Sequence, residues 1–177
     1  LQSLTSRVGD IDEWTAANLE WSVEEMGKKL TSEQIDAVAL AMDSMDRGKG
    51  FLVSDVTGFG KGRIAATIAR YAVLSGKRIV FFTEKANLFS DFWRDVRDIG
   101  SEDIFGRPFI LNAGARIVDT KSSDGKVIFP ALKKTVVDDV IKNGLPEDTR
   151  IVLTTYSQFS RKGAKTEWLE KISSETQ

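Results

Sequence analysis

Ten residues from Ser54 to Arg63, SDVTGFGKGR, combine the backbone and side-chain types that phosphate chemistry requires. Gly58, Gly60 and Gly62 allow a tight loop whose successive amides converge on one point. Lys61 adds a mobile positive charge that reaches oxygens beyond that point. The spacing Gly-x-x-x-x-Gly-Lys-Ser/Thr, whose hydroxyl goes to a divalent cation, is met only from Gly60 onward. Asp55 stands in place of the first glycine and Gly62 in place of the hydroxyl residue. With no Cys and no His in the chain, thiol nucleophiles, imidazole bases, disulfides and zinc fingers are excluded. Any chemistry must come from carboxylates, Lys, Arg, hydroxyls, backbone amides or a bound ion.

Such a loop concentrates amides only if a strand leads into it and a helix starts directly after it. Phe51-Leu52-Val53 is expected as a short buried strand. The stripe Ile64, Ala65, Ile68, Ala69 and Ala72 predicts a helix that stops at Ser75-Gly76. Upstream, Ile11 to Lys29 reads as one acidic helix carrying Trp14 and Trp21. Thr31 or Ser32 caps a second, with Ile35, Val38, Ala39, Met42 and Met45 at helical spacing, closed by Arg47-Gly48-Lys49-Gly50.

Downstream, Ile79 to Thr83 is an apolar strand, and a helix is expected from about Ala86 to Ile99, burying Leu88, Phe89, Phe92, Trp93 and Val96. Phe109-Ile110-Leu111 forms a third strand. Arg116-Ile117-Val118 and Lys126 to Phe129 flank a polar turn from Thr120 to Gly125, a hairpin pattern. Pro130 suits the first turn of a helix ending at Asn143-Gly144, and Ile151 to Thr155 is a last strand. Val136-Val137-Asp138-Asp139 imitates an acidic strand end, but Leu132, Val136, Val137, Val140 and Ile141 recur at helical intervals, so it reads as helix. Alternating strands and helices with apolar strands predict an α/β fold, a mostly parallel sheet with helices on both faces.

A chain of 177 residues, 41% apolar and 29% charged, is of single-domain size and ordinary globular composition. The net charge of −1 argues against a free-standing nucleic-acid binder but not against a motor gripping a strand with a few local groups. No apolar run approaches the ~18 residues of a membrane span, and the start LQSLTSRVGD lacks the pattern of a signal peptide. The first residue is not Met, so the chain is expected to be a piece of something longer.

Asp55, Gly58, Gly60 and Lys61 resemble the first motif of superfamily-two helicases and chromatin-remodelling translocases. The tail Gly60-Lys61-Gly62-Arg63 resembles the strawberry notch family and related phage or plasmid methylase–helicase (antirestriction) proteins, in which glycine follows the lysine. This resemblance implies a RecA-like P-loop NTPase lobe that binds ATP and Mg²⁺. Lys61 would be catalytic, and Gln34, Asp55, Thr57, Gly58, Phe59, Gly60, Gly62 and Arg63 would share the nucleotide site with it. No residue is assigned to the metal, which would lean on water, the phosphates and an acidic motif.

Leu30-Thr31-Ser32-Glu33-Gln34 with Ala37-Val38 resembles the Q motif, whose glutamine pairs with adenine; Thr31 and Gln34 equally satisfy a capping box. Thr83 to Leu88, with Thr83, Lys85 and Asn87, resembles the motif gripping the nucleic-acid backbone. Thr154-Thr155-Tyr156 resembles a strand end near the same path. Trp93 is expected in the core. The implied division is an N-terminal helical extension, residues 1–29, and a first lobe, residues 30–177, cut before the acidic motif, with a second RecA-like lobe beyond residue 177. So divided, the 177 residues are expected to hydrolyse ATP hardly at all. The implied function is the ATP-binding lobe of a DNA helicase or translocase. The alternatives are a P-loop ATPase acting on protein partners and a non-catalytic docking or DNA-recognition module. The expected setting is cytoplasmic, or nuclear in a eukaryote, with packaging in a phage particle as a further option and no membrane association.

Overall fold

The computed structural model describes residues 1–54, 60–159 and 163–174. Four helices open the chain: α1 (Gln2–Val8), α2 (Ile11–Asn18), α3 (Val23–Lys29) and α4 (Ser32–Asp46). The single acidic helix expected over 11–29 is therefore two. Its break has local causes. Glu20 adopts a positive φ of 53°, the Trp21 amide turns back to Ala16 O (3.0 Å), and Ser22 starts a new helix through a capping box with Glu25. The break buries Leu19 and sets Trp21 under the Arg70 guanidinium, 4.5 Å from the ring centroid. Thr31 caps α4, as its sequence predicts.

Next come α5 (Lys61–Leu74), β1 (Ile79–Thr83), α6 (Leu88–Asp98), α7 (Glu102–Phe105) and β2 (Phe109–Ile110). The hairpin strands β3 (Ile117–Val118) and β4 (Val127–Phe129) follow, then α8 (Lys134–Asn143), β5 (Ile151–Thr155) and α9 (Ala164–Ser174). The main sheet is parallel, in the order β1-β5-β2. Its side chains alternate between two cores, as a two-sided buried sheet requires. Ile79, Phe81, Ile110, Ile151 and Leu153 meet α5 and α6 through Ala66, Ala69, Phe89, Phe92, Trp93 and Val96. Val80, Phe109, Leu111 and Val152 meet Val137 of α8 and Trp168, Leu169 and Ile172 of α9. The expected α/β architecture, a parallel sheet with helices on both faces, is what forms. In a third core, Leu19 and Met26 of the N-terminal segment pack with Val38 and Met42 of α4 and Ile64 and Tyr71 of α5.

Three further expectations fail, one of them Leu88, which is 39% exposed at the start of α6 rather than buried. Phe51-Leu52-Val53 is not a strand, and Phe51 and Leu52 are 42% and 84% exposed. An apolar triplet becomes a strand only when a neighbour offers it a ladder, and no described strand pairs with this one. The helix expected from Pro130 begins at Lys134 instead; residues 130–133 remain outside it. Asp138 and Asp139 lie on α8, so they belong to no acidic strand end.

Candidate functional site

Gly60 is the N-cap of α5 and takes the left-handed conformation (φ 74°, ψ 32°) that favours glycine. Its carbonyl accepts from the amides of Arg63 (2.9 Å) and Ile64 (3.2 Å), which starts the helix. Neither a side-chain cap nor an acidic residue occupies the first turn. The amides of that turn, with the positive end of the helix dipole, therefore favour an anion there. Lys61, the first helical residue, is exposed beside them. Asp55, Thr57, Gly58 and Phe59 lie outside the described residues.

Gln34 reaches this turn from α4. Its Oε1 accepts from the Thr31 amide (3.1 Å), and the Gln34 amide donates to Thr31 Oγ1 (3.4 Å), so the capping box exists. The box holds the buried carboxamide against Gly60. A Cβ on Gly60 would fall inside 3.0 Å of Gln34 Nε2 and 3.6 Å from its Cδ. The two sequence readings of Gln34 are thus compatible in space: one atom caps α4 while the other lies beside Gly60.

Gly62 is a close-approach glycine of the same kind. A Cβ there would fall inside 3.0 Å of Asp95 Oδ2 and 3.2 Å from Asp95 Cγ. Burial pushes the Asp95 carboxyl above its ordinary range, against the pull of Arg94 and Arg63. Sequence reasoning missed Asp95; the only signal was the glycine at the hydroxyl position, which does not say what fills the space. Arg63 donates to Lys29 O (3.2 Å) and pairs with Asp98 (3.4 Å), which ties α5 to α3 and α6.

The residues expected to meet nucleic acid gather at the carboxyl end of the sheet. Thr83 pairs in register with Thr155. Thr83 Oγ1 donates to Lys85 O (2.6 Å), turning the chain so that Lys85 and Asn87 are exposed. Asn112 donates to Thr155 Oγ1 (2.7 Å) and accepts from the Thr155 amide (3.2 Å). Tyr156 is 63% exposed, its ring near-parallel to Phe82 at 6.0 Å. Thr154 differs: it is fully buried, and its hydroxyl has no hydrogen-bond partner among the described residues. Trp93 is buried in the α6 core, as expected. The first turn of α5 lies beside the last turns of α6, where Gly62 meets Asp95 and Arg63 pairs with Asp98, whereas Thr83 and Thr155 end β1 and β5.

Among the described residues no group of three or more His, Cys, Asp or Glu is placed to hold a metal, and no helix is long and apolar enough to cross a membrane. Residues 3–174 match the family model described as P-loop containing NTP hydrolase pore-1. The chain is also similar to Protein strawberry notch homolog 1 of Rattus norvegicus, at 40% identity over 83 residues, covering 42% of this chain and 6% of that protein. The homologues of Homo sapiens and Gallus gallus are each 39% identical over 83 residues, covering 6% and 7% of their own length. The match thus spans a small part of these curated relatives. No solved structure matches.

Proposed function

Because the chain belongs to the P-loop containing NTP hydrolase pore-1 family and resembles strawberry notch homologues, we propose that it is the ATP-binding lobe of a DNA translocase. The observation that carries this reading is the assembly at Gly60. A left-handed glycine opens α5 with uncapped amides, Lys61 stands on its first turn, and Gln34 lies against the same residue. Amides and lysine suit the phosphates, and the carboxamide suits a base edge that offers both a donor and an acceptor. Lys61 is the residue positioned to offset charge developing on a transferred phosphoryl group.

DNA as the track is supported by groups at the carboxyl end of the sheet. Lys85 and Asn87 offer exposed polar groups to a phosphate backbone, and Tyr156 offers an aromatic face to a base. The net charge of −1 makes this a short local grip, weak and salt-sensitive by itself. The deciding experiment measures ATP turnover and movement on duplex and single-stranded DNA by the longest natural protein containing these residues. DNA-stimulated turnover that disappears in Lys61→Ala is expected. Turnover stimulated by a protein partner and indifferent to DNA would replace the track with a protein substrate. Failure of the wild type to bind nucleotide would leave a docking module.

A further inference from the structure

In loops of this type a hydroxyl follows the lysine and goes to the divalent cation, but here the residue is Gly62. The space for that hydroxyl is taken. Asp95 Oδ2 lies inside 3.0 Å of the position a Cβ on Gly62 would occupy, so a carboxylate from α6 fills the volume into which a hydroxymethyl would project. Among the described residues its one hydrogen-bond donor is Arg94 Nη2, at 3.4 Å from Oδ1 and 3.5 Å from Oδ2, long for a charged pair. The Asp95 side chain is only 13% exposed. A desolvated, loosely paired carboxylate disfavours the apo fold unless a cation completes it. Mg²⁺ needs little from the protein, typically one or two carboxylates, the rest being phosphate oxygens and water. One carboxylate beside the phosphate-binding turn fits that demand.

Resting on the nucleotide-site reading above, we propose that Asp95 supplies from α6 the magnesium ligand that Gly62 lacks. The competing role is purely structural: an anion at the positive end of α5. The two roles predict opposite signs in the absence of metal. As a ligand, the carboxylate repels bare phosphates and carries a burial penalty, so Asp95→Asn should bind metal-free nucleotide as well or better and melt no lower. As a structural anion, its loss lowers the melting temperature and leaves metal dependence alone.

The test titrates the 177-residue chain with a non-hydrolysable ATP analogue by calorimetry, with and without Mg²⁺, and follows Mn²⁺ by electron paramagnetic resonance. In wild type, Mg²⁺ should tighten binding. Asp95→Asn should lose that gain by about tenfold or more, in line with the 10–100-fold losses seen when metal-supporting groups are removed. Asp95→Ala combined with Gly62→Ser returns the ligand to the loop and should restore both the gain and the Mn²⁺ spectrum. The proposal is overturned if Asp95→Asn keeps the wild-type Mg²⁺ gain and Mn²⁺ spectrum. It is equally overturned if wild type shows no Mg²⁺ gain. If Asp95→Asn does not fold, the double variant decides, and no Mg²⁺ gain in that folded protein counts against the proposal. Equal analogue binding by Lys61→Ala and wild type would sink the nucleotide-site reading instead, a result separate from any behaviour of Asp95.

Discussion

The carboxamide nitrogen of Gln34 lies inside 3.0 Å of where a Cβ on Gly60 would be. Through this packing the start of α4 and the start of α5 share one corner, and Thr31 fixes the geometry through the capping box. Helix capping and the proposed base reading therefore fall on one side chain, and only paired substitutions separate them.

Thr31→Ala should cost about 1 kcal/mol of stability by removing the cap, with the preference for ATP over GTP retained. Gln34→Ala should lose comparable stability and also narrow that preference, because the carboxamide itself is gone. Thermal melts and competition binding with both nucleotides check this. Equal melting losses with an unaltered ATP-to-GTP ratio in both variants would reduce Gln34 to a capping residue.

Lys61→Ala should leave the fold alone and remove most nucleotide affinity. Lys61 is exposed at a helix start, where substitutions usually change stability by no more than about 0.5 kcal/mol. A charged hydrogen bond to phosphate is worth about 1.5–3 kcal/mol, so affinity should fall roughly ten- to a hundredfold. Calorimetric binding that is unchanged in this variant would argue that the phosphates do not sit at α5.

How far the sequence carried the reading differs from place to place. Both faces of the sheet, the hairpin and the Thr31 cap were legible because each rests on local pattern: apolar strands such as Ile79 to Phe82 alternating with helices, a polar turn, a hydroxyl three residues before Gln34. The break at Glu20 was hidden, since an acidic stretch with two tryptophans fits helical spacing on either side of it. Phe51 to Val53 misled because strand formation depends on a neighbour, which no triplet can encode. Asp95 was invisible for the same reason. Gly62 announced a missing group, but only the packing of α6 against α5 reveals which carboxylate stands there.

Tyr156→Ala should weaken single-stranded DNA binding while changing stability little. The ring is mostly exposed and near-parallel to Phe82, with centroids 6.0 Å apart, so it presents a face on which a base can stack. Such stacking is worth about 1–3 kcal/mol per base, a loss of roughly fivefold or more in affinity by fluorescence anisotropy at low salt. Tyr156→Phe should retain the binding. If Ala and Phe variants both bind like wild type, the ring lies off the track.

Acid should loosen the hairpin before the sheet. The β3–β4 unit is tied to α6 by two carboxylates: Asp98, which pairs with Lys121, and Asp119, which pairs with Arg97 at 2.9 Å. Burial acts to raise the Asp98 carboxyl, but the Lys121 hydrogen bond and the charges of Lys121, Arg63 and Arg94 bring it below its ordinary value. The Arg97 hydrogen bond, helped by the Lys121 amide, likewise holds Asp119 low. Both groups bind a proton less readily folded than unfolded, where the value is about 3.9. Their contribution is therefore complete above about pH 4 and disappears as pH falls through the lowered folded values. Lys121 is 61% exposed, so the Asp98 tie is worth at most about 1 kcal/mol and should shrink in high salt. Melting temperature against pH should be flat from neutrality to about pH 5 and fall more steeply in wild type than in Asp98→Asn with Asp119→Asn. Superimposable profiles would show that these ties contribute nothing to the fold.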